Sequence, residues 1–172
     1  RLGCPGPDCA VQPATITWAD LQTSSTTDVC GQGIIDAIRG QVEIPDLTNL
    51  PGPTPGLTAE VGYGDEGGDI QTWGWLPATW IGDVNGRDEY ALPAGTRMLD
   101  GGFRQFRTCI RFSHLGGPYT YGDLDGSANG YSSDLAGVVW GMSVPSSATL
   151  LGPPSMDAVV GQPTGTMTAR VD

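Results

Sequence analysis

Residues 103–113 read FRQFRTCIRFS and carry the clearest strand pattern in the chain. Two sets of side chains alternate along it. Phe106, Thr108, Ile110 and Phe112 form one set, and Arg107, Cys109 and Arg111 form the other. A period of two sends successive side chains to opposite faces, as in a strand with one buried face. The stretch therefore predicts a half-buried β-strand.

Similar short runs lie on both sides of this stretch and are separated by Gly, Pro, Asn and Asp. The predicted strands cover residues 14–21, 36–44, 57–64, 72–82, 88–92, 136–144 and 164–171. Helical patterns are almost absent. Seven to nine short strands with such punctuation are typical of an antiparallel sandwich. We predict an all-β fold, an antiparallel immunoglobulin-like β-sandwich with long loops.

The length of 172 residues suits one domain with a packed core. We predict three parts along the chain. Residues 1–13 form a disulfide-bearing N-terminal segment, and residues 14–145 form the β-sandwich. Residues 146–172 form a Gly/Pro-rich tail that ends in one further strand.

The charge balance excludes some partners. Nineteen acidic residues face eight basic ones, all arginine, for a formal charge of −11. Such a chain is poorly suited to phosphate backbones, so we expect no nucleic acid. No apolar segment approaches the roughly 20 residues that span a bilayer, so we expect no membrane span. The chain begins at Arg1, so we expect a removed leader and export to the extracellular space or cell surface.

The cysteines indicate disulfides. The chain has Cys4, Cys9, Cys30 and Cys109, but no pair of C-x-x-C motifs and a single histidine, which leaves little for zinc. Disulfides imply an oxidising compartment. Four cysteines allow three connectivities. Among them we expect a local Cys4–Cys9 bridge and a Cys30–Cys109 bridge.

The order of motifs from residue 57 onward is more specific than any one motif. It runs LTAEVGYGDEGGD, TWGWLPATW, GRDEY, CIRFSHLGGPYTYGDLDGSANGY and AGVVWGMSV. Residues 57–144 thus resemble an immunoglobulin-like β-sandwich accessory module of secreted bacterial hydrolases and cell-surface proteins. Arg87 departs from the asparagine of that module, and Cys30 and Cys109 lie outside its pattern. The resemblance implies an accessory domain outside the cell and no reaction.

Residues 119–134, YTYGDLDGSANGYSSD, are rich in oxygen-bearing side chains. Calcium takes six to eight oxygen ligands, and an EF-hand would need a glycine and a glutamate that this loop lacks. A partial calcium site at Asp123, Asp125 and Asn129 is one interpretation, with no cofactor required. The alternative is a hairpin loop whose Asp and Asn side chains cap backbone amides and whose glycines take positive φ.

Aromatic side chains supply candidates for ligand stacking. Flat apolar rings with polar rims suit sugar recognition. Trp73 and Trp75 share a face of an extended segment, and that face is equally compatible with the core. The candidate binding residues are Trp80, Tyr119, Tyr121 and Tyr131.

No catalytic set emerges from the sequence. Asp88 and Glu89 are adjacent on a predicted strand and point to opposite faces, so they cannot serve one glycosidic bond. We expect one of them to pair with Arg107 or Arg111. His114 has no nucleophile elbow beside it. The sequence therefore predicts that the chain is not an enzyme.

Two functions fit these observations. The first is a non-catalytic extracellular binding module for carbohydrate or a cell-surface protein. The second is a structural subunit of an extracellular filament, coat or surface layer. Such a subunit would self-assemble by strand addition at exposed sheet edges.

Overall fold

The fold is given by a computed structural model that describes residues 12–27, 37–97, 104–141, 148–151 and 168–171. Cys4, Cys9 and Cys30 lie outside the described residues, as does most of the predicted N-terminal segment and of the tail. None of the described residues belongs to a helix with the length and apolar character that a membrane crossing needs.

The described residues form strands and no α-helix, which confirms the all-β prediction. The strands are β1 (Trp18–Leu21), β2 (Ser25–Thr27), β3 (Ile38–Glu43), β4 (Leu57–Gly64), β5 (Gly74–Val84), β6 (Arg87–Leu92), β7 (Arg104–His114), β8 (Thr120–Gly122), β9 (Gly137–Gly141), β10 (Ala148–Leu151) and β11 (Thr168–Val171). Two 3₁₀ turns, Ile70–Thr72 and Ser133–Leu135, interrupt the loops.

Nine of these strands form one curled, mixed sheet. Its order is β1-β3-β6-β5-β4-β7-β9-β2, with β8 also paired to β7. The pairs are antiparallel except β2 with β9. The sheet curls into a half-barrel, and Leu21 N–H of β1 donates to the Asp123 carbonyl after β8 at 2.8 Å. The finer expectation of an immunoglobulin-like sandwich stays a prediction.

The core fills the concave face of the curled sheet. Alternation explains its composition, because every second side chain of each strand points inward. The main contributors are Ile16, Leu21, Ile38, Val42, Ile44, Val61, Tyr90, Leu92, Phe106, Ile110, Phe112 and Val139. Arg107 and Arg111 of β7 face outward, as the sequence predicts.

The first strand begins later than the sequence predicts. β1 starts at Trp18 instead of residue 14. In the preceding segment, Ala14 N–H donates to Nδ1 of His114 at 2.8 Å, so a side chain takes the place of a ladder partner there. β4 keeps the predicted bounds, Leu57–Gly64.

Candidate functional site

Two glycines create a platform on the outer face of β4. The Trp75 indole lies over Gly62, where an added Cβ would come within 2.6 Å of ring atom Cζ3. The Trp73 indole covers Gly64 in the same way. Both rings therefore lie flat on the sheet, because the strand beneath them has no side chains at these two positions.

An aromatic cluster is built on this platform. We define it as Trp73, Trp75, Arg111, Tyr119, Tyr121 and Tyr131. The two indoles stack with ring centroids 6.3 Å apart, which confirms that they share a face. Tyr131 meets Trp73 edge-on at 5.2 Å, and Tyr121 approaches Trp75 at 5.9 Å. The cluster lies on the side of the sheet opposite the main core.

Arg111 joins two aromatic rings across the cluster. Its Cζ lies 3.9 Å from the ring centroid of Trp75 and also 3.9 Å from that of Tyr119. Arg111 is the direct cross-strand partner of Glu60, and its Nε donates to Glu60 Oε2 at 2.8 Å. The carboxylate compensates the charge and fixes the guanidinium plane, so the three flat groups form a stack with Tyr119 outermost.

The cluster combines one exposed ring with buried polar atoms that have no hydrogen-bond partner among the described residues. Tyr119 is 45% exposed, whereas Trp73 is buried. Trp73 Nε1, Trp75 Nε1 and the Tyr131 hydroxyl are buried and have no hydrogen-bond partner among the described residues. Burial raises the pKa of Tyr131 to about 12. Native structures leave few such groups unsatisfied, so each of them calls for an explanation.

Trp80 lies apart from the other binding candidates. It is half-buried, pairs with Tyr90 of β6 and packs against the core. Trp75 and Trp80 are five residues apart on β5, and an odd separation places them on opposite faces. The structure therefore brings together Tyr119, Tyr121 and Tyr131 of the predicted set, and leaves Trp80 on the inner side.

The acidic loop after β8 has the hairpin geometry that the alternative interpretation predicts. Asp123 is buried and accepts hydrogen bonds from Ser132 N–H at 2.9 Å and Asp125 N–H at 3.3 Å. Gly126 and Gly130 take φ values of 64° and 107°. These features confirm a loop closed by its own side chains.

The predicted calcium ligands are close together in this loop. Asn129 Nδ2 donates to Asp125 Oδ2 at 3.1 Å. Burial raises the pKa of Asp123, and a hydrogen bond from the Ser127 hydroxyl lowers the pKa of Asp125. Across the described ranges, no group of three or more His, Cys, Asp or Glu side chains is arranged to hold a metal. Calcium binding here stays a prediction.

Asp88 and Glu89 face opposite sides of β6, as predicted, but their expected arginine partners are wrong. Asp88 is buried, and Glu89 accepts from Gln41 on the outer face at 3.3 Å. Arg111 pairs with Glu60, and Arg107 pairs with Glu66 near the end of β4. The reason is register, since β7 pairs with β4 and not with β6.

His114 has a structural position at the end of β7. Its Nδ1 accepts from Ala14 N–H, and its Nε2 lies 3.2 Å from the Pro55 carbonyl. Both ring nitrogens are therefore occupied by backbone partners. The imidazole ties the segment before β1 to the loop before β4.

Cys109 lies on the outer side of β7 and is completely buried. It pairs across the strands with Gly62 and forms no disulfide within the described residues. Burial raises the pKa of its thiol well above the usual range. The predicted Cys30–Cys109 bridge stays a prediction, since Cys30 lies outside the described residues.

Sequence reasoning missed Arg111, Glu60 and the two platform glycines as parts of the site. The only sequence signal for them was the alternation along β4, because residues 60, 62 and 64 are two apart and therefore share one face of the strand. Comparison with known proteins adds no assignment: no family model, curated protein or solved structure matches the chain.

Proposed function

We propose that the chain is a non-catalytic extracellular module that binds carbohydrate on the aromatic cluster. The observation that carries the proposal is the stack of Trp75, Arg111 and Tyr119, with its outer ring 45% exposed. A rigid flat group with polar neighbours suits the apolar face of a sugar ring.

The surroundings of the stack support a sugar in preference to an apolar ligand. Glu60 lies beside Arg111, and Gln71 Nε2 donates to the Tyr121 hydroxyl at 3.3 Å. These polar groups lie at the rim of flat rings, where sugar hydroxyls would meet them. Because Glu60 already fixes Arg111, binding would immobilise little additional side chain at this position.

Affinity electrophoresis on a panel of polysaccharides tests the proposal. We expect at least one polysaccharide to retard the wild-type chain, and Tyr119→Ala to weaken that retardation by about tenfold, equivalent to about 1.4 kcal/mol. Trp140→Ala is the matched control, because Trp140 is an exposed aromatic residue of similar exposure, 44%, on β9 and does not belong to the cluster. No retardation on any polysaccharide, or equal losses in the two variants, would count against the proposal.

The contacts of the titratable candidates support the non-catalytic part. Both nitrogens of His114 are occupied by backbone groups, and Asp88 and Glu89 point to opposite faces. Motif order in residues 57–144 supports the immunoglobulin-like accessory module and its location outside the cell. Sugar stacking needs no cofactor, and a calcium-dependent rise in melting temperature that is smaller in Asp125→Asn than in the wild-type chain would support calcium in the acidic loop.

The alternative proposal, a self-assembling structural subunit, is supported by strands β10 and β11. They pair with each other as a two-stranded sheet separate from the large one. A two-stranded ribbon is marginal alone and suited to pairing with another strand. Light scattering and electron microscopy at high protein concentration test this alternative, which predicts assemblies, whereas a monodisperse monomer contradicts it.

A further inference from the structure

Two carboxylates meet under the loop that precedes β4. Asp83 of β5 and Asp88 of β6 are direct cross-strand partners. Asp83 Oδ2 accepts from Gly52 N–H, and Asp88 Oδ2 accepts from Thr54 N–H, both at 2.9 Å. Each carboxylate therefore uses one oxygen to hold a backbone amide of the same loop, which orients the side chains toward each other.

One oxygen of the buried carboxylate lacks a partner within the described residues. Asp88 has no exposed surface, and its Oδ1 has no hydrogen-bond partner in the described part of the chain. Thr54 is 4% exposed, and its Oγ1 lies beside the Asp88 carboxyl without a hydrogen bond of ordinary geometry. Thr54 Oγ1 is thus a second buried oxygen beside the Asp88 carboxyl, and it comes from the loop before β4.

No positive side chain compensates this pair within the described ranges. The nearest arginine in sequence, Arg87, pairs with Glu43 at 3.0 Å and stacks on Trp18 at 3.7 Å. Two adjacent carboxylates repel each other, and a cation between them removes that repulsion.

The donor set selects the kind of cation. All three atoms are oxygens, two from carboxylates and one from a hydroxyl, and hard divalent cations prefer such ligands. The loop amides on the remaining carboxylate oxygens act as the outer contacts that orient metal ligands. A proton would neutralise the pair but would bridge only two of the three oxygens.

We propose that Asp83, Asp88 and Thr54 Oγ1 bind one divalent cation of the calcium class. Water or backbone carbonyls would supply the remaining ligands. This site is separate from the acidic loop after β8 and goes beyond the proposed sugar binding. It would fasten the loop before β4 to the β5–β6 hairpin.

The test uses the full chain carrying Asp125→Asn, so that the acidic loop cannot contribute. After chelator treatment at neutral pH, melting temperature is measured against CaCl₂, with NaCl of equal ionic strength as control. For a dissociation constant near 10⁻⁴–10⁻³ M, about 10 mM Ca²⁺ should raise it by about 3–10 °C. Adding Asp88→Asn or Asp83→Asn should abolish the rise. Asp83 is exposed, so its variant should fold even if the other does not.

A spectroscopic measurement gives a second readout. Tyr90 lies two residues from Asp88 on the same buried face of β6, so its ring can sensitise Tb³⁺ bound at the site. We expect sensitised emission in the Asp125→Asn chain, its loss in Asp83→Asn, and its displacement by Ca²⁺. The proposal is overturned by the absence of a calcium response in the Asp125→Asn chain, or by a response that survives Asp83→Asn.

Discussion

Replacing Gly62 by alanine tests whether the aromatic cluster depends on a bare strand beneath it. The added Cβ would lie 2.6–2.7 Å from three atoms of the Trp75 ring, whereas ordinary contact begins near 3.4 Å. The indole must therefore move by about 0.8 Å, the difference between 3.4 and 2.6 Å. It cannot do so without disturbing its 3.9 Å contact with Arg111.

The expected cost follows from two opposing terms. Overpacking against rigid ring atoms belongs in the upper half of the usual range, about 2–3 kcal/mol. Alanine lowers the conformational entropy of the unfolded chain relative to glycine, which stabilises the native state by about 0.4–1 kcal/mol. The free energy of unfolding should fall by about 1–2.5 kcal/mol, and the melting temperature by about 2–10 °C. Urea unfolding followed by circular dichroism measures the first quantity.

Two comparisons isolate the contact. Gly82→Ala on β5 is the matched control, because an added Cβ there meets nothing within 4 Å, and it should be neutral or slightly stabilising. In a Trp75→Ala background the obstacle is gone, so Gly62→Ala should lose its cost. The reasoning is refuted if the cost persists without Trp75, or if Gly62→Ala behaves like Gly82→Ala.

Three further predictions concern charge, stacking and the buried thiol. Burial raises the pKa of Asp88, so without divalent cations the native state binds more protons than the unfolded state from about pH 4 up to the native pKa of this group. Asp88 should therefore make the free energy of unfolding fall as pH rises through that window, and urea unfolding over a pH series should show a smaller fall in Asp88→Asn. Arg111→Lys keeps a charge beside Glu60 but loses the planar stack, and should cost about 0.5–2 kcal/mol in urea unfolding; a cost no larger than that of exposed Arg39→Lys would contradict this. Cys109 should resist alkylation in the native chain and react once urea unfolds it without reductant, as mass spectrometry can show; protection in urea would instead indicate a disulfide.

The strands of the half-barrel are the part that sequence predicts best. β4 and the centre of β7 alternate cleanly because their inner faces pack in one core, and burial imposes a period of two. The late start of β1 was not predictable in this way. It depends on the contact between Ala14 and His114, which are 100 residues apart and carry no shared local signal.

The site was predictable where it depends on local geometry. Tyr119 is exposed as expected, and counting from Trp75 would have assigned Trp80 to the inner face. Arg111 could not be assigned, because its neighbours come from other strands, and only the β4–β7 register places it opposite Glu60. The unpartnered Oδ1 of Asp88 is equally invisible in a sequence, since it depends on how the distant loop before β4 lies.

The glycine platform also limits which substitutions can be accepted during evolution. Trp75 fills the space that Gly62 leaves empty, and Trp73 does the same for Gly64, so neither member of a pair can change alone without a clash or a void. Each glycine and its tryptophan should therefore be inherited as a unit. In descendants of a common ancestor, loss of the indole at position 75 should be what permits a side chain at position 62.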